Sequence, residues 1–185
     1  MRLIDIQNMF YNVYNKTIPI RTFETWLYEN NEIESLLGNE LYFDLLNINY
    51  REKYALLEVV KLILPYIDFG PSETKRITGL LTNIIDGSGD IYLIISQLYD
   101  NYCSGYYFLR YLGVSYITSG IEEEIGINGI RKNLLKLENK YKHEAKRLLG
   151  FFEKGELIIT DKFKYVDSRK ENDRIELNHI EKILN

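Results

Sequence analysis

The sequence predicts a mainly α-helical protein, an irregular multi-helix bundle around one central apolar helix, with a small β appendage at its C-terminal end. Three observations carry that expectation. Apolar residues recur at spacings of three and four through most of the chain as far as Lys154. Residues suited to starting and stopping helices fall between those stretches. Beyond Gly155 the pattern changes to the short runs ELIIT, FKYV and RIEL, which read as strands. The expected organisation is a helical domain over residues 1–155 with the appendage, residues 156–185, packed on it as a single structural unit.

The first helix spans Leu3 to Tyr14, with Ile6, Met9, Phe10, Val13 and Tyr14 at helical spacing. Pro19 closes the link after it. Thr22 is placed to cap a second helix whose apolar side is Phe23, Trp26 and Leu27, with Trp26 read as core. Asn31 with Glu34 makes a capping-box pattern for a short helix through Leu37, which Gly38 ends and Asn39 restarts. Asn49 with Glu52 repeats the pattern before a helix with a wide apolar face of Leu56, Leu57, Val60, Leu62, Ile63 and Leu64, ending at Pro65.

After a turn at residues 68–71, Ser72 caps a helix that carries Ile77, Leu80, Leu81, Ile84 and Ile85 on one side and stops near Gly87. Asp90 begins the most apolar helix, from Ile91 towards Leu112. Its polar stripe of Gln97, Asp100, Asn101 and Ser104 is narrow, which places it at the centre. Gly113 to Gly129 reads as a break, with the acidic run Glu122, Glu123 and Glu124 as a solvated helix start. Ile130 to Lys154 reads as one helix stopped by Gly155, and Asn178 with Glu181 can cap a last helical turn.

A length of 185 residues suits one domain with a good core, and 45% hydrophobic with 27% charged residues excludes disorder over most of it. The 16 tyrosines against 8 phenylalanines serve cores and recognition surfaces equally. A net charge of −4 argues against a general nucleic-acid or anionic-membrane binder, either of which needs a basic footprint. Asp5 and Asn8 interrupt the apolar run that a secretory signal needs, and the run from Ile91 to Ile95 is far too short to span a bilayer. The single cysteine, Cys103, permits no internal disulfide and suits a reducing cytoplasm, the expected location.

No catalytic signature, metal motif or cofactor motif stands out. His143 and His179 lie on separate elements without the spacing that presents two ligands on one helix face. Cys103 with His143 could form a nucleophile pair, but a lone cysteine on an apolar helix is more often a small core residue. Asp68-Phe69-Gly70 copies three letters of a kinase motif without its companions. Gly87-Ser88-Gly89 reads as a turn rather than a phosphate cradle, because Asp90 in the capping position would repel the anion. No pair of carboxylates is singled out for hydrolysis. The basic helix around Lys136 to Arg147 reads as a solvated face laced with Glu138 and Glu144, and Arg110, set among aromatics, needs a carboxylate such as Asp100 or a ring to stack on.

The distinctive stretch is Thr22 to Tyr50. It holds Glu24, Glu29, Glu32, Glu34, Glu40 and Asp44 with no lysine or arginine, beside Trp26, Tyr28, Tyr42, Phe43 and Tyr50. From Thr22 to Val60 eight acids meet two bases, whereas Ile121 to Lys154 carries a net +2. Surplus carboxylates beside rigid rings suit a surface that meets a basic protein. The strings TFETWLYENNEIESLLGNELYFDLLNINY, ETKRITGLLTNIID and YDNYCSGYYFLRYLG resemble immunity proteins of bacterial polymorphic and contact-dependent growth inhibition toxin systems, over Thr22 to Gly113. The resemblance implies a non-enzymatic protein that binds one cognate toxin domain, here expected to be a nuclease. On that reading the toxin contacts come from Glu24, Tyr28, Glu29, Glu32, Glu34, Glu40, Tyr42 and Asp44, with Tyr28 or Tyr42 as anchor. The alternative is a regulatory or adaptor helical domain that uses Arg131 to Arg147 for a host protein or nucleic acid.

Overall fold

The computed structural model describes residues 2–30, 32–120 and 127–175. Among them are ten α-helices and one two-stranded antiparallel sheet near the C-terminal end, so the fold is mainly helical. The chain divides into two compact units, Met1–Ser72 and Glu73–Asn185. Each has its own hydrophobic core. The Asn31 cap, the acidic run at residues 122–124, the final turn at Asn178 and all but the start of RIEL lie outside the described residues.

In the first unit, α1 (Leu3–Tyr14) buries Ile6, Phe10 and Val13, and the Arg2 amide donates to Asp5 Oδ2 at 2.9 Å across its start. Helix α2 (Ile20–Glu29) begins before Thr22. Pro19 occupies the capping position with a preset φ of −63°, and its carbonyl accepts from the Thr22 and Phe23 amides at 3.0 and 3.3 Å. Thr22 is therefore an exposed helical residue and caps nothing. Phe23 and Leu27, four apart, enter the core, and Trp26 packs partly buried beside them. The Phe23 ring lies 5.6 Å from Trp26, 6.1 Å from Phe10 and 6.3 Å from Tyr50.

Helix α3 (Glu32–Leu37) ends at Gly38, whose φ of +82° is the left-handed backbone that glycine adopts without strain, and α4 (Asn39–Leu46) follows at once. Asn49 Nδ2 does reach Glu52 Oε1 at 3.3 Å, but this pair closes a turn, and α5 (Ala55–Ile63) starts later than that cap predicts. Its buried line is Ala55, Val59 and Ile63, narrower than the expected face, and Leu57 and Leu64 are exposed. A single 3-10 turn, Leu64–Tyr66, takes up Pro65.

The second unit begins within α6 (Phe69–Asp86), which starts at Phe69 instead of being capped by Ser72. Pro71 falls in its first turn, where no helical partner awaits the missing amide hydrogen, so the expected turn continues as helix and Ser72 is buried inside it. Asp90 caps α7 (Ile91–Cys103) as its sequence position predicts: its Oδ1 accepts from the Tyr92 amide at 3.0 Å. Ile94, Ile95 and Leu98 place α7 in the core. The helix stops at Cys103, not Leu112, because Gly105 at φ +128° turns the chain, and Cys103 is exposed rather than core.

After a 3-10 turn at Tyr107–Leu109 comes α8 (Arg110–Gly120), so Gly113 lies inside a helix and not in a break. A Cβ at Gly113 would come within 2.9 Å of Tyr102 Cβ, which shows how closely α8 approaches α7 there. The long C-terminal helix is two, α9 (Ile127–Lys136) and α10 (Glu138–Glu153), separated at Leu137. Gly155, at φ +69°, ends α10. Strands β1 (Leu157–Asp161) and β2 (Lys164–Asp167) then pair antiparallel with Leu157 opposite Asp167, and Leu157 and Ile159 point into the core. Arg174 and Ile175 are not in a strand.

Candidate functional site

The acids of the first unit lie where helical periodicity puts them once the apolar residues have turned inward. On α2, Phe23 and Leu27 face the core, which leaves Thr25, Tyr28 and Glu29 outside; Tyr28 is 55% exposed. On α3 the buried residue is Ile33, with Glu32, Ser35 and Leu36 exposed and Glu34 half-buried. On α4 the inward set is Leu41, Tyr42 and Leu45. Glu40, Phe43, Asp44 and Asn47 follow at the complementary spacing of three and four and form one outward face.

Two of the expected contact residues are less open than the others. Tyr42 is only 9% exposed and packs in the core; its neighbour Phe43, 50% exposed and 5.9 Å away ring to ring, takes the outward position. Leu41 and Leu45 define the inward face of α4, and Tyr42 lies beside Leu41 and three residues before Leu45. Phe43 instead follows Glu40 by three, the signal that could have found it. Glu24 is half-buried and bound by Arg21 Nη1 at 2.9 Å, a base that lies one residue before the acid-rich stretch. Its charge is neutralised locally and offers little to a partner. Glu29, Glu34, Glu40 and Asp44 form no ion pair among the described residues.

Charge is also divided between the units. Met1–Ser72 contains ten carboxylates and six bases, a net −4, while Glu73–Asn185 holds seventeen of each. The whole net charge of the chain thus resides in the unit that carries α2, α3 and α4. In the second unit much of the basic character is tied up. Arg131 meets Asp90, Lys142 meets Glu138 at 2.7 Å, and Arg147 binds the buried Glu144 at 2.7 and 2.8 Å and the Asp173 carbonyl at 2.7 Å. Arg110 donates to the Ile175 carbonyl at 2.9 Å.

The first unit also has a groove of about 440 Å³ between α1 and the turn after α5, with Leu3, Ile6, Phe10, Leu37 and Tyr66 on its walls and Asp68 as its one carboxylate. No group of three or more possible metal ligands occurs among the described residues, and none of their helices is long and apolar enough to cross a membrane. His143 is exposed on α10, and His179 lies outside the described residues.

The buried polar residues of the second unit are bound to one another. Glu73 accepts from Arg76 Nη2 at 2.5 Å and from the Tyr106 hydroxyl at 3.0 Å; Arg76 also donates to Asn101 Oδ1 at 2.6 Å, and the Phe163 amide donates to the Tyr106 hydroxyl oxygen at 3.1 Å. Burial raises the Tyr106 phenol well above its ordinary value, and the charge of Glu73 adds to that. This network links α6, α7, the turn before α8 and the hairpin, which is a structural task.

No protein-family model matches the chain, and neither a curated protein nor a solved structure does.

Proposed function

We propose that this protein is a non-enzymatic immunity protein that binds a cognate bacterial toxin domain, a nuclease, through the outward faces of α2, α3 and α4, and so blocks its approach to nucleic acid. The observation that carries this reading is the set Glu29, Glu34, Glu40 and Asp44, carboxylates without an ion pair among the described residues, with the exposed rings of Tyr28 and Phe43 next to Glu29 and Asp44 in the chain. A nuclease needs a basic cleft to hold phosphates, and surface carboxylates attract such a cleft from a distance, giving fast association that salt suppresses. Rings of the size of Tyr28 and Phe43 then supply the buried area that slows dissociation. Phe43 takes the anchoring role in place of Tyr42.

The test is stopped-flow association with any nuclease domain that the neighbouring reading frames encode, comparing wild type with the triple variant Glu29→Lys, Glu40→Lys, Asp44→Lys. At low salt the variant is expected to associate at least about tenfold more slowly, with the difference shrinking as salt shortens the screening length. Phe43→Ala should leave the association rate unchanged and speed dissociation. A variant that associates as fast as wild type at low salt refutes this surface, and a toxin that the wild-type protein neither binds nor inhibits refutes the function.

A further inference from the structure

Helix α5 hides one line of residues and shows another. Ala55, Val59 and Ile63 are buried, while Tyr54, Leu57, Lys61 and Leu64 are exposed at the spacing of three, four and three that sets them on one outward stripe. Tyr54 and Leu57 are 62% and 67% exposed, more than any other large apolar side chain among the described residues. A stripe with this spacing is the seam through which two helices pair.

The stripe is also symmetric about Val59. Tyr54 and Leu64 lie five residues to either side of it, about 7–8 Å along a helix axis. Two copies of α5 laid antiparallel across a two-fold axis at that level bring Tyr54 of each against the partner's Leu64, and Leu57 against the stem of the partner's Lys61.

The same arrangement carries Lys53 and Tyr54 to the end of the other copy's α5, where the groove of about 440 Å³ opens. Pro65 and Tyr66, which follow Leu64, line it together with Leu3 and Phe10 of α1. Asp68 is its one carboxylate, and no lysine or arginine lies on its walls. Lys53 Nζ stands 5.7 Å from the centre of the Tyr54 ring, so ring and charge form one knob. Neither Lys53 nor Asp68 forms an ion pair among the described residues.

We propose that the first unit pairs with the same unit of a second copy of this chain, α5 against α5, with Lys53 and Tyr54 of each copy seated in the groove of the other. The ring meets the apolar wall and the ammonium meets Asp68, and the two-fold axis makes each contact twice. Knob, seam and groove are all present on one chain, which is what a self-complementary surface requires. The pairing uses none of the residues assigned to the toxin and stands whether or not a toxin is bound.

The test is sedimentation equilibrium of the full-length protein from about 5 μM to about 1 mM in about 0.15 M salt, where the like net charges of the two copies are screened. The apparent mass should rise from one chain to two, with a midpoint near about 0.1 mM because the interface is small. Leu57 is exposed, so Leu57→Asp should keep the far-UV circular dichroism and urea midpoint of the wild type while pairing at least about tenfold more weakly. Lys53→Glu and Asp68→Lys should each be monomeric alone, since each sets like charges face to face. An equimolar mixture of those two variants should regain the dimer, because both contacts then join opposite charges. A mixture that stays monomeric overturns the seating of Lys53 on Asp68. A wild-type mass of one chain throughout, or a dimer that Leu57→Asp leaves intact, overturns pairing through α5. Weaker toxin binding by Leu57→Asp beside a monomeric wild type would give this face to the toxin instead.

Discussion

Gly113→Ala and Gly79→Ala are the same chemical change in two helices of one unit, and they should act with opposite sign. Both glycines are helical, in α8 and α6, so each alanine removes the extra backbone freedom that glycine has in the unfolded chain, a gain of about 0.8–1 kcal/mol. At Gly79 nothing lies within 4 Å of the added Cβ, so the gain is realised in full. At Gly113 the Cβ would be 2.9 Å from Tyr102 Cβ and 3.2 Å from Cγ and Cδ1. Ordinary carbon contacts begin near 3.5 Å. The root of the Tyr102 side chain cannot swing away as a flexible tip could, so α8 or α7 must shift by about half an ångström. Overpacking of this kind costs about 1–3 kcal/mol, which outweighs the helix term. The expected net effects are about +1 kcal/mol of stability for Gly79→Ala and a loss of up to about 2 kcal/mol for Gly113→Ala. Urea denaturation followed by far-UV circular dichroism measures both, provided the slope of free energy against urea is unchanged. Gly113→Ala stabilising the protein as much as Gly79→Ala does would refute the close approach of the two helices.

Tyr106→Phe removes the hydroxyl that donates to buried Glu73 and accepts from the Phe163 amide. The ring stays, so the loss is polar, about 1–3 kcal/mol by the same urea assay, and a variant as stable as wild type would show the hydroxyl to be dispensable. Alkaline titration gives another expectation. Burial holds the phenol of Tyr111 up at about 12 and raises that of Tyr106 as well, each above the ordinary value near 10 that an unfolded chain shows. Their contribution is fully present below pH 10 and is lost as pH rises, because the unfolded state then releases protons that the folded state retains. With two such groups the second unit should lose up to about 2.7 kcal/mol per pH unit between pH 10 and 12. A flat stability profile over that range, measured by urea midpoints, would contradict the burial of these rings.

Much of the local architecture is legible from spacing alone. Leu3–Tyr14 matches its expected bounds, Asp90 caps α7, and Gly38, Gly87 and Gly155 stop helices with positive φ as placed. The errors have a common form. Thr22, Asn49 and Ser72 are each able to cap a helix, yet a cap is worth about 1 kcal/mol, and seating Phe23, Val59 or Ile77 in a core is worth more, so burial chooses where each helix begins. The stretch from Ile91 to Leu112 keeps its apolar rhythm straight through Gly105, so spacing gives no sign of the reversal. What decides it is the packing of that glycine against the hairpin, where a Cβ would sit 3.4 Å from the Phe163 carbonyl oxygen. At Leu137 neither glycine nor proline marks the step from α9 to α10.

Residue order by itself determined the helical class, the strand pair and the surplus of carboxylates over bases before residue 70, because periodicity and charge are properties of neighbours along the chain. Folding decided which side of each helix those neighbours occupy. Tyr42 went inward and Phe43 outward, and Arg110 came to one cavity with Arg169 and Arg174 from far along the chain. The physical reason is range: a helix forms from contacts three and four residues apart, whereas burial and ion pairing depend on which distant surfaces close over one another.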